Sequence, residues 1–406
     1  MPCPSQPYMR RSVAVCLAAG GFLGVGVAGA ADWSVDPAVT VNADYDDNNR
    51  LTQIPGDEVE VAGAAFDGQV TVGARTPRTV FRLVPRIKAT YYPDDPDEET
   101  DSEFLRLDYE FTGQRNRGAF NAEYSRRETL GRYLPDDFDD GIGGDPGSGD
   151  DLGNSTAPNV QDRLSITPNV SFELSERSVL ELGVGYLDVS FEQQVEDDRE
   201  DYTSASADAA YRFLLSETKS VALRIRGRQY DPADDVATDS QAVELEWANR
   251  MSETSQFYVR GGSNRVEEVD ELGESDWNTG FTGGIGVRRS FEVSEVLFEL
   301  TRGLDPNSSG RLMARDELRL RYSHSLSPVT RLLVMVRGVK DATTNDQDVF
   351  QDREYVAALF GFDWRMTRQF TLGGGYQYVW RSIEGEPDDA QSNRLFLGVT
   401  WEPHRL

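Results

Sequence analysis

Basic side chains recur at every second position in several short stretches of this chain. The clearest positions are Arg82, Arg86, Lys88, Arg106, Arg224, Arg226, Arg228, Arg319 and Arg321. A guanidinium group presents several donors in a planar fork, which suits carboxylate, phosphate and hydroxyl-rich ligands. One interpretation is therefore a track for anionic or hydroxylated solutes. The other is a ladder of cross-strand ion pairs that stiffens a wall. The sequence leaves both open.

Residues for covalent chemistry are scarce. The two histidines are His324, which shares the parity of apolar Leu320 and Tyr322, and His404 in the terminal tail. The two cysteines, Cys3 and Cys16, lie near the start of the chain. A nucleophile needs a neighbouring base, and a disulfide or thiolate metal site needs cysteines. We expect no enzyme, no catalytic residue, no cofactor and no metal site.

The basic positions lie in stretches that alternate apolar and polar residues. In 104–111, Leu105, Leu107, Tyr109 and Phe111 share one face, and Arg106, Asp108 and Glu110 share the other. A period of two predicts a strand. Eighteen such strands are predicted, at 33–45, 58–73, 79–92, 102–112, 119–129, 162–174, 179–192, 202–214, 220–230, 241–250, 256–266, 276–289, 295–303, 314–326, 330–340, 354–364, 369–382 and 393–401.

The charged face of these strands indicates the kind of sheet they form. A soluble sheet would bury its apolar face in a core, whereas here the opposite face is charged in strand after strand. A closed barrel with lipid outside and water inside fits that pattern. The predicted fold class is all-β: a transmembrane antiparallel up-and-down β-barrel of about 18 strands in the bacterial outer membrane. A barrel of this width is expected to enclose a water-filled lumen, lined by the basic positions.

The first thirty residues have the layout of a secretory signal. Arg10 and Arg11 precede the apolar stretch 12–27, and Ala28-Gly29-Ala30 forms a small-residue cleavage site. Cleavage before Ala31 is therefore expected. The predicted organisation is a signal peptide over 1–30 and one barrel over 31–406.

The connections alternate between short turns and long acidic loops. The long ones, such as 93–103 and 267–276, carry most of the acid in a chain of net charge −29. Short periplasmic turns and long outer loops are typical of outer-membrane barrels. The longest loop, 131–161, either folds inward and narrows the pore or stays outside in solvent.

Aromatic residues are expected at both membrane interfaces. Those predicted near the outer ends are Tyr45, Tyr91, Phe191, Tyr230, Trp277 and Trp380. The last strand, 394–401, alternates and ends on Trp401, as in strands that the outer-membrane assembly machinery reads. Expected partners are this machinery, outer-membrane lipid and lipopolysaccharide; no nucleic acid is expected.

Two segments resemble the β-barrel porin 2 family. They are Trp33-Ser-Val-Asp-Pro37, followed by Asp44-Tyr-Asp-Asp-Asn48, and Arg82-Leu-Val-Pro-Arg-Ile-Lys-Ala-Thr-Tyr91. Members of that family often belong to exopolysaccharide and capsule gene clusters. The resemblance implies a channel for export of an extracellular or capsular polysaccharide, acting with a periplasmic polysaccharide-export protein. It carries over no binding residue. The alternatives are a general diffusion porin for small hydrophilic solutes and a structural barrel with a plugged lumen.

Overall fold

The chain forms one continuous series of strands. The structure, a computed structural model, describes residues 31–128, 159–192, 199–233, 237–269, 275–306, 308, 312–343, 352–386 and 388–403. The strands in this part are β1 (Asp32–Asp46), β2 (Val61–Arg75), β3 (Thr79–Tyr91), β4 (Asp101–Thr112), β5 (Asn116–Glu128), β6 (Val160–Ser175), β7 (Ser178–Phe191), β8 (Tyr202–Leu214), β9 (Lys219–Pro232), β10 (Thr238–Ser252), β11 (Ser255–Val269), β12 (Ser275–Ser290), β13 (Ser294–Pro306), β14 (Leu312–Ser327), β15 (Thr330–Ala342), β16 (Arg353–Arg365), β17 (Phe370–Ile383) and β18 (Ala390–Trp401). One 3₁₀ turn, Pro96–Glu98, lies between β3 and β4. No helix of these residues is long and apolar enough to cross a membrane.

The sheet closes on itself. Each strand pairs antiparallel with the next, and β1 also pairs with β18, with Val39 opposite Trp401 and Asp46 opposite Arg394. The hydroxyls of Thr40 and Thr400 lie 2.8 Å apart across this closure. The predicted 18-stranded antiparallel barrel is confirmed, and the predicted strands lie within a few residues of the observed ones.

Hydroxyl side chains shape the short turns at one end of the barrel. Ser175 and Ser178 bring their side-chain oxygens to 2.7 Å, and Thr76 and Thr79 do the same. Such side chains bond the backbone of a tight turn and so favour it locally. We call this the turn end and the opposite end the loop end. By the asymmetry of outer-membrane barrels, the turn end faces the periplasm.

The outside of the barrel is apolar over a limited height. On β14, Leu318, Leu320 and Tyr322 face outward, between outward Asp316 and His324. The eight residue steps from Asp316 to His324, at about 3.3 Å each and tilted by about 40°, span roughly 20 Å of height. This is close to the apolar band of roughly 25 Å of outer-membrane barrels. A closed antiparallel barrel with this band places the chain in the bacterial outer membrane.

Charged side chains mark the upper limit of the band. Arg302, Asp316, Lys340 and Glu354 lie side by side in register on the outward faces of β13 to β16; we call them the outer charge ladder. Arg302 Nη1 lies 2.8 Å from Asp316 Oδ2, and Lys340 Nζ lies 2.7 Å from Glu354 Oε1. Exposed ion pairs belong in the aqueous or headgroup region, because charge in hydrocarbon is costly. The ladder therefore lies at the outer headgroups.

The inside–outside pattern inverts toward the loop end. On β7, Val184 and Tyr186 face outward, but farther along the apolar Leu187, Val189 and Phe191 are buried inside. The buried interior cluster also includes Tyr202, Tyr230, Val266 and Leu312. Above the headgroups the wall thus has an apolar interior, as a soluble barrel would. The prediction that Phe191 and Tyr230 face the outer membrane interface is wrong, because both are buried in this cluster. Exposed Tyr45, Tyr91 and Trp277 fit that prediction.

Several predictions concern residues outside the described part of the chain. These are the signal peptide over 1–30 with both cysteines, His404, and nearly all of the loop 131–161. They stay predictions, as does the boundary of the barrel domain. His324 faces outward near the turn end, where its Nδ1 lies 2.6 Å from Ser294 Oγ.

Candidate functional site

The predicted basic positions all fall on the inward faces of their strands. On β9, Arg224, Arg226 and Arg228 alternate with Leu223 and Ile225, which are 52% and 54% exposed on the outside. The same alternation turns the basic positions of β3, β4 and β14 inward. The structure divides them among three surroundings: an open cavity near β3, a line of ion pairs, and a small cavity behind β12.

The open cavity, about 400 Å³, lies between β1–β5 and β15–β18. Arg86 and Lys88 line it, with Arg127 and Arg394 as further cations and Asp67 and Asp363 as carboxylates. We call this cavity the vestibule. A second cavity of about 600 Å³ opens among the turns of the turn end and shares Asp363 and Thr400 with the vestibule. Solute at the periplasmic mouth thus has a route to the vestibule cations.

An aromatic ring lies among these cations. Arg86 and Lys88 lie 5.8 and 5.5 Å from the centroid of the Phe104 ring. Arg86 also binds Asp67 on β2, with Nε 2.8 Å from Oδ1. A ring beside fixed cations offers an apolar surface next to donors, which suits a small organic anion. The inward orientation of Phe104 could have been predicted from the sequence, because Phe104 lies on the strand face of Arg106 and not on that of Leu105.

Other basic positions are held in ion pairs. Arg106 Nε lies 3.1 Å from Asp108, which stands opposite Arg82 in register. Arg224 Nη2 lies 4.0 Å from Glu181. Arg319 lies 3.1 Å from Glu299 and 3.5 Å from Glu317; Arg321 follows it on the same face. For Arg224 and Arg319 the interpretation as cross-strand ion pairs therefore describes what the side chains do, whereas Arg106 pairs with Asp108 of its own strand.

A buried ionic network fills the loop end. Arg315 donates from Nε and Nη2 to Asp341 at 2.7 and 2.9 Å and also binds Asp305. Arg353 Nη2 donates at 2.6 Å to Asp341 Oδ2, the oxygen that also accepts from Arg315 Nη2. The side chains of Arg315, Asp305 and Asp341 are 0% exposed. We call these four residues the loop-end network. Such a network leaves little room for solute on its side of the barrel.

The segment 47–60 folds into the same end. Leu51 is buried among inward residues of β15 to β17, including Met335, Tyr355 and Val379. Its carbonyl accepts a 2.7 Å hydrogen bond from Arg381 Nη2. Leu51 has φ of +52°, a left-handed conformation that costs a non-glycine residue about 1–2 kcal/mol. The surrounding contacts hold it there, so this first outer connection acts as a plug.

The loop-end tips of β13 and β14 also lean inward. By strand alternation, Leu304 and Leu312 belong to the same outward faces as Leu300 and Leu318, which face lipid. They nevertheless pack against the interior apolar cluster of β7 to β11. Arg228 extends inward from β9, four strands away from β13, and its Nη1 donates to the Leu304 carbonyl at 2.7 Å. Glu200 N donates to the Ser308 carbonyl at 2.8 Å. Among the described residues, the inward-leaning hairpin and the plug both narrow the loop end. Neither was predicted.

No family model and no curated protein matches the chain. The family resemblance therefore stays a prediction. Solved barrels match loosely. OccK1 (OpdK) of Pseudomonas aeruginosa is 10% identical over 91% of this chain and 99% of that one, with a TM-score of 0.47. OccK2 (OpdF) of Pseudomonas aeruginosa in complex with glucuronate is 11% identical over 91% and 98%, with a TM-score of 0.45.

A third such barrel is BauA, the ferric preacinetobactin receptor of Acinetobacter baumannii. It is 10% identical over 91% of this chain and 80% of that one, with a TM-score of 0.44. Similarity at this level adds nothing to the description of the fold, which rests on the strand pairing described above. They assign no substrate.

Proposed function

We propose that the protein is an outer-membrane channel for small hydrophilic solutes, with a preference for organic anions. The observation that carries this proposal is the vestibule. Four cations and two carboxylates line a cavity of about 400 Å³ around Phe104. Charges that face water between low-dielectric walls are screened less than exposed ones, so this excess of cations should favour anions.

The geometry supports this function better than polysaccharide export. A polymer in transit needs a continuous bore, whereas the loop end is narrowed by the plug, the inward-leaning hairpin and the loop-end network. A small solute needs only a brief opening of these contacts. A permanently plugged structural barrel is the competing function, and conductance separates the two.

The test is ion selectivity in a planar bilayer. Purified protein should conduct in short openings, and its reversal potential under a salt gradient should indicate anion preference. Arg86→Gln with Lys88→Gln should weaken that preference. The matched control is Arg302→Gln with Lys340→Gln, which removes the same charge from the outward ladder and should leave selectivity unchanged.

The Leu51→Asp variant should be measured in the same assay. It is expected to release the plug, so that ion selectivity can be measured even if the wild-type channel stays closed. Absence of conductance in both the wild type and Leu51→Asp would establish the plugged barrel. If the anion preference persists after the Arg86 and Lys88 substitutions, the conducting route does not pass through the vestibule.

A further inference from the structure

The barrel wall is split between β12 and β13 at the loop end. Among the described residues, the pairing of these strands begins at Gly283 opposite Arg302 and runs toward the turn end. From there outward, β12 continues to pair with β11 up to Ser275, and β13 pairs with β14 up to Pro306. The two strands therefore diverge over 275–282 and 303–306. We call this gap the seam.

The seam arises from the inward lean of the β13–β14 hairpin. The carbonyl of Leu304, which a continuous sheet would turn toward β12, accepts instead from Arg228 on β9, four strands away. The Thr282 hydroxyl lies 3.0 Å from the Arg302 carbonyl and 2.8 Å from Glu244 Oε1, so its one proton is shared between these two acceptors. The carbonyls of Leu304 and Arg302 thus both have side-chain donors at the seam. An open edge of this kind is tolerated above the hydrocarbon but not within it.

The seam begins at the level of the outer headgroups. Arg302 belongs to the outer charge ladder and is also the last residue of β13 that pairs with β12. Just above it, Phe281 of β12 is 61% exposed on the outside of the barrel. An acyl chain can lie below Arg302 against the apolar band of β12 and β13 while its headgroup stands level with the gap.

A small cavity of about 30 Å³ lies directly behind the seam. Gly303 and Leu304 form its β13 side, and Thr282 forms its β12 side. Arg226 and Arg228 line its inner wall, with Ser240, Ala242, Glu244 and Asn264. In register, Gly280 of β12 stands opposite Asn264, Asn264 opposite Ala242, and Ala242 opposite Arg226. Because Arg226 and Arg228 line the same cavity as Thr282 and Gly303, they lie directly behind the gap.

We propose that the seam is a lateral binding site for the phosphate headgroup of a membrane amphiphile. The acyl chains stay outside against β12, and the phosphate enters the gap toward Arg226 and Arg228. Arginine suits this ligand, because its fork donates to two phosphate oxygens at once. The volume of the cavity admits a headgroup but no acyl chain. This site is separate from the vestibule, so it stands or falls independently of conduction.

The test is photo-crosslinking from inside the barrel. A diazirine amino acid replaces Ala242, which lines the cavity, or Ala222, an equally inward alanine behind fully paired strands. Purified protein is placed in phosphatidylcholine vesicles that contain dioleoyl phosphatidic acid, irradiated and examined by mass spectrometry. We expect adducts of phosphatidic acid at position 242 and about a tenth or less of that yield at position 222, because Ala222 does not line the cavity.

Three further arms identify the ligand. Dioleoylglycerol, which lacks the phosphate, should give little adduct at 242. Arg226→Gln should lower the phosphatidic acid adduct about tenfold, as expected for one lost charge-assisted bond, whereas Lys340→Gln should not. Excess inorganic phosphate should leave the adduct in place, because the membrane concentrates the lipid beside the seam.

The opposite results overturn the proposal. Adducts at neither position, or equal adducts at both, would mean that the seam admits no lipid headgroup. Equal adducts with dioleoylglycerol would remove phosphate recognition. Displacement by inorganic phosphate would assign the site to a soluble anion instead of a lipid.

Discussion

Removing the carboxylate at the centre of the loop-end network should destabilise the barrel strongly. In Asp341→Asn, Arg315 keeps Asp305, but Arg315 and Arg353 lose their shared charged partner inside a fully buried site. Breaking a buried ion pair from one side costs about 3–5 kcal/mol, mostly because a charge is left uncompensated. We expect a loss of free energy of unfolding in that range.

The chain supplies a matched control one residue away. Lys340 and Glu354 are the outward neighbours of Asp341 and Arg353 in the same β15–β16 register, and both are about half exposed. An exposed ion pair contributes about 0–1 kcal/mol, so Glu354→Gln should change stability little. The two variants remove the same charge at the same height and differ only in which side of the wall they face.

Unfolding by guanidinium chloride in lipid vesicles, followed by tryptophan emission, measures both variants. The same Asp341→Asn protein should also show longer channel openings, since the network helps to narrow the loop end. If Asp341→Asn and Glu354→Gln lower the free energy of unfolding by the same amount, the interior of the loop end is hydrated rather than packed. The argument from burial would then be refuted.

Three other predictions test the remaining features. Gly286→Ala should lower the free energy of unfolding by about 1–3 kcal/mol, because a Cβ there would lie 2.1 Å from the Tyr258 ring. Gly227→Ala, which has open space around it, should be nearly neutral in the same unfolding assay. Leu51→Asp should raise the open probability in planar bilayers by releasing the plug, and an unchanged open probability would show that segment 47–60 does not close the mouth. A protease added to intact cells should cut within 93–103 and spare the turn at 328–329; cleavage at that turn alone would invert the orientation.

The strand pattern predicted the architecture because lipid and water impose a period of two at every strand. Strand β8 was predicted at its observed bounds, and closure of β1 onto β18 follows from an unbroken series of hairpins. The inward parity of Arg224, Arg226 and Arg228 was readable for the same reason. These features depend only on neighbouring residues and on the two solvents.

The loop end was not predictable in this way, because its contacts join residues far apart in the chain. The bond from Arg228 to Leu304 and the burial of Leu51 against β15 to β17 follow no local period. One signal was available. The apolar residues of β7 change parity between Tyr186 and Leu187, which indicates where the wall leaves the membrane and gains an apolar interior. That change also explains why Phe191 was misplaced.

The pairing of β1 with β18 has a consequence for biogenesis. Thr40 and Thr400 meet across 360 positions of the chain. Until β18 is in place, β1 and the growing sheet each present an unpaired edge, which invites aggregation or pairing with another chain. The closing contact is also the most non-local one, so it is expected to form late and slowly. A nascent chain therefore needs its edges shielded until the twelve residues of β18 arrive. A truncation before Ala390 would leave an open sheet that cannot close into a barrel.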